Sequence, residues 1–381
     1  MRHGAGTRGS GPVGIGIIGA GVISEQYLTS FAAFPDVTVH VVADLVEDAA
    51  KARAAQYGIA ESGSIAAALN HPDVEILVNL TPPAAHVEVG LAAVAAGKHV
   101  WSEKPFALDR AGGRKLLQAA DDAGVRLGCA PDTFLGAGLQ TGLRMIARGD
   151  IGTPLTALTL MQSPGPEAWH PSPAFLFQEG AGPLFDMGPY YLTALLQAFG
   201  PISRVAAVGS TSSATRVIGS GPRTGEEFEV TVPTHVGALL QFSGGQSGQS
   251  VFSFESPLVR QSFLEITGTE ATLSFPDPNR FDGALRVRRA GSQEDETVEA
   301  VGATSGRGVG VLEMARAIRA GVPHRAQGLT AFHVLDVLAA ISESIDTAAF
   351  VPVTSPAEAA PLLDEAWDPT ASTLSGRKGK S

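Results

Sequence analysis

The sequence predicts two domains: an α/β domain built on a parallel sheet and, after it, an α+β domain with a mostly antiparallel open sheet. The chain has 381 residues, more than the roughly 250–300 at which a single hydrophobic core stops growing. From Val13 onward, apolar runs alternate with Ala-rich helical stretches, a pattern typical of βαβ units. After Arg148 the pattern changes to longer β-rich runs at hairpin spacing, which favours antiparallel pairing.

The first domain is expected to contain alternating strands and helices, with one further helix leading out of it. Gly58, Gly97 and Gly124 each follow the last periodic residue of a helix, where a left-handed glycine commonly ends the helix. The predicted strands cover residues 13–18, 37–43, 75–79, 99–102 and 125–129, and the predicted helices cover 23–34, 47–57, 84–96, 110–123 and 135–148.

The second domain is expected to be a set of hairpins closed by two apolar-periodic helices, with Gly244-Gly245 as one hairpin turn. The predicted strands cover 155–163, 232–242, 250–255, 263–275 and 285–289, and the helices cover 309–320 and 329–349. The predicted organisation is a flexible tail over 1–12, domains over 13–130 and 131–355, and an extension over 356–381. The closing helices are expected to pack back on the first domain.

Composition and charge exclude several classes of function. The formal net charge is −11 and there is no long basic run, which argues against a nucleic-acid partner. No apolar run reaches the ~18 residues that span a bilayer, so no membrane association is expected. The single cysteine, Cys129, cannot form an intramolecular disulfide, and residues 1–12 lack a signal-peptide core, which favours the cytoplasm. The nine histidines show no paired ligand spacing, so no metal is expected.

A glycine turn follows the first predicted strand and opens a helix. In this context, backbone N–H groups can bind a pyrophosphate at the helix N-terminus. The first glycine permits the tight turn, the second permits close approach of phosphate, and a small serine takes the third glycine position of the usual pattern. The residues expected to bind the cofactor here are Gly19, Ala20, Gly21, Val22 and Ile23, followed by Ser24.

Asp44 ends the next strand, about where an acidic residue takes the ribose hydroxyls of NAD. Leu45 follows it and offers no cation for a 2′-phosphate, which favours NAD over NADP. The alternative is a glycine turn beside an ordinary solvated aspartate.

Two later strand ends carry polar residues at the edge where parallel sheets bind ligands. After the strand ending at Asn79, the residues expected to contact the cofactor are Thr81, Pro82, Pro83 and His86, the last also a candidate for simple loop packing. After the strand ending at Ser102 come Glu103 and Lys104, both expected at the cofactor. A cation at Lys104 could hydrogen-bond a substrate hydroxyl and stabilise alkoxide character, and the alternative is a surface lysine.

Asp186 and Tyr190 lie four residues apart at the predicted start of an apolar helix, so they would face the same side. A carboxylate and a phenol could then point into one cleft. Tyrosine has an ordinary pKa near 10, so it needs a nearby cation such as Lys104 to act as a base at neutral pH. The alternative makes Asp186 a helix N-cap and Tyr190 a core aromatic.

Taken together, these motifs resemble the glucose–fructose oxidoreductase / inositol dehydrogenase (Gfo/Idh/MocA) family from Val13 to about Pro352. The resemblance implies a Rossmann fold, then a substrate-binding domain whose sheet often makes oligomer contacts, hence a homodimer or homotetramer. It also implies a cis bond at Lys104-Pro105, a catalytic Lys104, and an Asp186 that binds substrate or acts in catalysis. The motifs are Gly19-Ala20-Gly21, Thr81-Pro82-Pro83 with His86, Gly97-Lys98-His99-Val100 leading into Glu103-Lys104-Pro105, and Gly182 through Asp186 to Gly188.

One position departs from the family pattern, which usually has a histidine where this chain has Tyr190. A histidine can carry a proton near pH 7, whereas Tyr190 needs help from Lys104. Either Tyr190 transfers the proton, or Lys104 does so and Tyr190 orients the substrate. Three further residues are substrate-binding candidates: Trp169, which could stack on a sugar ring, His170 beside it, and Asp132 near the domain junction.

The resulting hypothesis is an NAD-dependent oxidoreductase that moves a hydride between the nicotinamide and a secondary hydroxyl of a sugar, glycoside or cyclitol. A second hypothesis is a redox-neutral glycosidase or lyase that works through a transient keto-sugar. A third is a sensor of NAD or sugar that has kept the fold and lost activity.

Overall fold

The computed structural model describes residues 9–374, so most of the predicted tail and the last seven residues lie outside the described part. The first domain holds a six-stranded parallel sheet in the order β3-β2-β1-β4-β5-β6. Its elements are β1 (Val13–Ile18), α1 (Val22–Ala33), β2 (Val37–Ala43), α2 (Glu47–Tyr57), β3 (Glu61–Gly63), α3 (Ile65–Asn70), β4 (Ile76–Asn79), α4 (His86–Ala95), β5 (His99–Ser102), α5 (Arg110–Ala123) and β6 (Leu127–Cys129).

The second domain holds a nine-stranded mixed sheet in the order β16-β15-β14-β13-β7-β12-β11-β8-β17, in which only β7 and β12 pair in parallel. The predicted fold class is therefore confirmed. The elements are α6 (Ala137–Arg148), β7 (Pro154–Gln162), α7 (Gly182–Phe199), β8 (Ile202–Ser210), β9 (Thr215–Val217), β10 (Glu227–Glu229), β11 (His235–Phe242), β12 (Ser247–Ser253), β13 (Arg260–Gly268), β14 (Ala271–Phe275), β15 (Leu285–Arg289), β16 (Asp295–Val298), α8 (Val309–Ala320), α9 (Gly328–Thr347) and β17 (Val351–Pro352).

The glycine signals in the sequence correspond to real chain reversals. Gly58 and Gly124 end α2 and α5 in the left-handed conformation, and Gly97 has φ +72° after α4. Gly245, with φ +92°, turns the chain between the antiparallel strands β11 and β12. Left-handed backbone is strained for other residues, so these glycines fix where the elements end.

Several expectations about elements were wrong. The short elements that were not predicted are β3, α3, β9, β10, β16 and β17. The segment 263–275 is two antiparallel strands, β13 and β14, because residues 269–270 turn the chain between them. Strand β8, which pairs with β11 along its length, was missed. Helix α7 begins at Gly182, with Ala181 as its N-cap, so Asp186 lies inside the helix and is not its N-cap.

Helix α9 joins the two domains. It packs against α5 of the first domain and against α7 and β8 of the second. It has the length and hydropathy of a membrane span, but 67% of its 18-residue apolar window is buried inside the protein. We therefore describe α9 as a core helix. An ion pair of 2.5 Å between Arg110 Nε on α5 and the buried Asp336 Oδ1 on α9 adds a polar tie between the domains.

Candidate active site

The glycine turn after β1 has room for a phosphate group. Gly19 has φ +108°, and a Cβ there would lie 2.6 Å from the Leu80 carbonyl oxygen, so no larger residue fits. A Cβ on Gly21 would meet nothing within 4 Å. Gly21 is the N-cap residue of α1, where free N–H groups and the helix dipole attract an anion. The open space at Gly21 therefore fits the pyrophosphate of a dinucleotide.

Asp44 lies at the end of β2 beside the glycine turn. Its Oδ2 accepts a hydrogen bond of 2.7 Å from the Ala20 N–H, and its Oδ1 accepts one of 2.9 Å from the Val46 N–H. The carboxylate thus ties the end of β2 to the glycine turn. One cation near the turn was not predicted: Arg53 Nη2 donates to the Gly21 carbonyl at 3.4 Å while its Nη1 pairs with Glu25 at 2.8 Å.

Lys104 and Asp186 form an ion pair across the domain boundary. Lys104 Nζ lies 2.6 Å from Asp186 Oδ1 and donates a second hydrogen bond of 2.8 Å to the Asp186 carbonyl oxygen. Lys104 follows β5, and its bond to Pro105 is cis, as the resemblance implied. Burial favours a lower pKa for Lys104, but the charges of Asp186, Tyr190 and Glu103 outweigh burial and hold the pKa above its usual value. The lysine therefore stays an ammonium at neutral pH.

Tyr190 lies beside this pair, with its ring centroid 5.4 Å from Lys104 Nζ. Arg307, which the sequence reasoning missed, places its guanidinium carbon 5.4 Å from the same ring centroid. Within residues 9–374, the Tyr190 hydroxyl makes no hydrogen bond. Burial raises the pKa of Tyr190, and the charges of Lys104 and Arg307 offset part of that increase. No periodic or motif signal marks Arg307, which stands in a loop before α8.

Glu103 is held beneath Lys104 by a buried network. Its Oε2 accepts from the Lys104 N–H at 3.0 Å, and its Oε1 accepts from the Tyr27 hydroxyl at 2.8 Å. The Trp101 indole N–H donates to the Tyr27 oxygen at 3.2 Å. Because Glu103 is 8% exposed and fully engaged, we propose that it positions Lys104 rather than binding the cofactor through its side chain.

His86 joins the two loops that carry the other predicted cofactor contacts. Its Nδ1 lies 2.7 Å from the Pro105 carbonyl oxygen and its Nε2 lies 2.8 Å from the Thr81 carbonyl oxygen. The ring is 1% exposed, and burial lowers its pKa. These contacts support the loop-packing alternative. The Thr81 hydroxyl donates to Asn79 Oδ1 at 2.7 Å. Of the two prolines that follow, Pro82 is exposed and Pro83 is half-buried.

Asp132 lies under the site. It has no exposed surface, and its Oδ2 accepts from the Gly308 and Gly310 N–H groups at 2.9 and 3.0 Å. Burial raises the pKa of Asp132 to about 6, against the effect of these donors and of Arg307. We therefore propose that Asp132 holds the start of α8 in place, a role different from the substrate contact expected for it.

The loop between β7 and α7 carries an exposed aromatic group. Trp169 is 68% exposed, and its ring centroid lies 5.6 Å from that of His170, which in turn lies 5.5 Å from that of Phe175. Burial lowers the pKa of His170, and the nearby charge of Asp186 opposes this effect, so the loop lies on the side of the Lys104–Asp186 pair. Phe175 was not among the predicted substrate contacts.

One group of metal-ligand side chains comes together within residues 9–374, formed by His40, His71 and Asp73. The two histidine rings stack with centroids 5.2 Å apart. His71 Nδ1 accepts from the Asp73 N–H at 3.1 Å, and its Nε2 lies 3.4 Å from Glu61 Oε1. Both ring nitrogens of His71 are thus engaged within the protein, and the group lies away from Lys104.

The first domain is a Rossmann fold whose glycine turn has open space for a phosphate. The second domain places a carboxylate and a phenol beside a lysine of the first. Together these features define a nicotinamide-dependent oxidoreductase. Two family profiles match the chain: "Oxidoreductase family, NAD-binding Rossmann fold" at residues 13–130 and "GFO/IDH/MocA C-terminal domain" at 139–274. The chain belongs to the GFO/IDH/MocA family, and its first domain is an NAD-binding domain.

Individual proteins agree with this assignment. The levoglucosan dehydrogenase of Pseudarthrobacter phenanthrenivorans is 27% identical over 275 residues, which cover 67% of this chain and 68% of that protein. An NAD binding oxidoreductase from Klebsiella pneumoniae superposes with a TM-score of 0.78 at 26% identity, over 91% of this chain and all of that one. A levoglucosan dehydrogenase in complex with NADH and L-sorbose shares the fold, with a TM-score of 0.79 at 23% identity over 90% of this chain and 99% of that one.

Proposed function

We propose that this protein transfers a hydride reversibly between NAD and a secondary hydroxyl or ketone of a sugar, glycoside or cyclitol. The observation that supports the proposal best is the Lys104–Asp186 ion pair of 2.6 Å with Tyr190 beside it. Lys104 follows β5, and ligands of parallel sheets bind at the carboxyl ends of the strands. The similarity to levoglucosan dehydrogenase supports a carbohydrate as the substrate class.

The cofactor would be held mainly by the first domain. The open space at Gly21 takes the pyrophosphate, with Ala20 in the glycine turn and Val22 and Ile23 at the start of α1. Asp44 takes the ribose hydroxyls. When bound, NAD supplies the hydride acceptor or donor. Leu45, next to Asp44, is 86% exposed and carries no charge, which favours NAD over NADP. Lys104 and the loop at Thr81, Pro82 and Pro83 complete the cofactor side.

The roles of the site residues follow from their charges. The Lys104 ammonium donates a hydrogen bond to the reacting oxygen and stabilises negative charge as it develops there. Asp186 orients the ammonium and can accept from a neighbouring substrate hydroxyl. Tyr190 exchanges the hydroxyl proton, because its own hydroxyl has no protein partner among the described residues and Lys104 remains protonated. Trp169 and His170 would contact the far side of a sugar ring.

We also propose that the chain forms a homodimer or homotetramer and acts in the cytoplasm. Val208 on β8 and Leu239 on β11 are 72% and 50% exposed on the nine-stranded sheet. Exposed apolar residues on a sheet face are a common basis for self-association. The cysteine, Cys129, is free and buried, which suits a reducing compartment. Light scattering after size exclusion, with Val208→Lys alongside, tests the assembly.

The experiment that tests the function is a substrate panel. Purified protein is mixed with NAD⁺ or, separately, NADP⁺ and with sugars, cyclitols and glycosides including levoglucosan, and NADH absorbance is followed. We expect a substrate-dependent rise with NAD⁺ that exceeds the rise with NADP⁺. Absence of any rise across the panel, with NAD⁺ binding intact by calorimetry, would contradict the proposal and favour the redox-neutral or sensor hypotheses.

A further inference from the structure

Arg307 has no part in the roles above, although it lies as close to Tyr190 as Lys104 does. Its guanidinium carbon and Lys104 Nζ are each 5.4 Å from the Tyr190 ring centroid. Both cations are therefore within the ~6 Å over which a charge interacts with an aromatic face. Tyr190 is thus an aromatic residue with two cations close to it.

The position of Arg307 is fixed by its surroundings. Its Nη2 donates to Asn279 Oδ1. The chain that follows is anchored because Asp132 Oδ2 accepts from the Gly308 and Gly310 N–H groups. Gly308 has φ +99°, and a Cβ there would lie 2.8 Å from the Phe31 ring, so the loop tolerates only glycine at that point. These contacts leave the guanidinium little freedom to turn away from Tyr190.

Arg307, which is half-buried, also lacks an ion-pair partner within residues 9–374. In the described part of the chain, no carboxylate forms an ion pair with it, and its Nη1 is buried without a hydrogen-bond partner. Lys104, by contrast, is paired with Asp186 at 2.6 Å. Arg307 keeps part of its surface exposed, and among the described residues the carboxylates of Glu103 and Asp132 lie beyond ion-pair distance from it. No direct carboxylate contact therefore explains its position beside Tyr190.

We propose that Arg307 is a positioning residue that stabilises the phenolate of Tyr190 while Tyr190 accepts the substrate's hydroxyl proton. The proposal rests on the proposed function. In the oxidation direction, the substrate O–H bond breaks and its proton bonds to the Tyr190 oxygen. The adjacent C–H bond breaks with its electron pair, and the hydride passes to NAD⁺, so the carbinol becomes a ketone. In this role Arg307 acts through Tyr190 and not directly on the reacting atoms.

The charges around Tyr190 support this role for Arg307. Lys104 and Arg307 lower the pKa of Tyr190, while burial, Glu103 and Asp186 raise it. Asp186 lies against Lys104 and offsets the effect of that cation on Tyr190. Around Arg307 the charged and titratable groups are Tyr190, Glu103, Asp132 and Tyr27. Arg307 is therefore the cation whose charge is least neutralised by a direct partner.

The first test compares Arg307→Gln with Arg307→Lys, each with Tyr190 present and in a Tyr190→Phe background. We expect Arg307→Gln to lower kcat for oxidation about tenfold at neutral pH, equivalent to one pKa unit, and to move the pH profile upward. KM for NAD⁺ should stay unchanged, and Arg307→Lys should recover much of the loss. With Tyr190→Phe, Arg307→Gln should cause no further loss. An equal loss in both backgrounds would overturn the proposal.

The second test needs no turnover, so it separates this proposal from the proposed function. Tyr190→His places an imidazole beside Arg307. The titration of this imidazole can be followed by NMR, because its signal is the histidine signal that the wild type does not have. Arg307 should depress the pKa of that imidazole, so adding Arg307→Gln should raise it by about one unit. An unchanged pKa would overturn the proposal. If the shift occurs but no panel substrate reacts, the charge coupling stands and the proposed function fails.

Discussion

The two walls of the cleft differ in how they are built. The cofactor wall comes from strand ends of one parallel sheet, where Gly21, Asp44 and Lys104 follow strands whose last residues are buried. The substrate wall is assembled from distant segments. Asp186 meets Lys104 across 82 positions of sequence, and Arg307 reaches Tyr190 from a third segment. The cofactor wall is therefore specified by local motifs, whereas the substrate wall depends on how two domains pack.

This difference separates two kinds of energetic effect. Changes on the cofactor wall should alter the binding of NAD and leave the chemical step intact. Changes on the substrate wall should alter the chemical step or the binding of the substrate and leave the binding of NAD intact. Lys104 belongs to both walls, so its loss should have the largest effect.

Lys104→Met is expected to lower kcat by about 10³-fold, because it removes the cation at the reacting oxygen and leaves Asp186 without its partner. Steady-state rates with the best panel substrate measure the effect. The control is Lys115→Met, an exposed lysine on α5, which should keep full turnover. Full turnover of Lys104→Met would exclude Lys104 from the chemistry.

Tyr190→Phe is expected to lower kcat by about 10²-fold with KM for NAD unchanged. Burial raises the pKa of Tyr190, so oxidation, which needs the phenolate, should speed up as pH rises. Reduction needs the hydroxyl as a proton donor, so it should persist at neutral pH and weaken only above that pKa. Tyr190→Phe should lose the pH dependence of oxidation and the pH dependence of reduction.

Tyr191→Phe is the matched control for Tyr190→Phe. The Tyr191 hydroxyl donates to the Gln261 carbonyl at 2.5 Å and has no part in the site, so the variant should keep turnover and its pH profile. A similar loss in both variants would mean that Tyr190 acts only by packing.

Asp44→Ala is expected to raise KM for NAD about tenfold while kcat changes little, because the ribose and the glycine turn both lose a carboxylate partner. The preference for NAD over NADP should shrink. Initial rates over a range of each cofactor give both quantities. Asp48→Ala, an exposed change on α2, should leave both unaltered. A large fall in kcat for Asp44→Ala would contradict the separation of the two walls.

Trp169→Ala should have the smallest effect, a rise of about threefold to tenfold in KM for the sugar, because an exposed ring contributes stacking alone. Phe350→Ala removes another exposed aromatic, which stacks with Arg204, and should leave KM unchanged. If KM for the sugar were the same in Trp169→Ala and in the wild type, Trp169 would not contact the substrate.

The sequence was most informative where the residues of one functional feature are adjacent in the chain. The turn at Gly19 and Gly21 follows a strand directly, so its geometry could be inferred from adjacent residues. Lys104, Asp186 and Tyr190 were also predicted, although their distances depend on tertiary packing. Arg307 could not be found, because a polar loop before a helix looks the same whether its arginine meets solvent or a tyrosine. For His86, loop packing was one of the predicted alternatives, whereas the buried position of Asp132 was not foreseen because its partners are backbone N–H groups.

The fold shows the same limit. Strand β8 was missed because most of its nine residues are small or polar, and its larger apolar side chains, Ile202, Val205 and Val208, do not alternate with a period of two. Strands β13 and β14 were predicted as one strand because the turn between them is only two residues long. By contrast, helices with a glycine at the C-terminus were located to within a few residues.

The most direct test of the central claim is to follow the carbinol hydrogen itself. A reactive panel substrate is prepared with deuterium on the carbon that bears the hydroxyl and is incubated with the protein and NAD⁺. We predict that the NADH formed carries the deuterium at C4 of the nicotinamide and that the substrate becomes a ketone of the same skeleton. Recovery of cleaved sugar with no labelled NADH would contradict the account and establish redox-neutral cleavage instead.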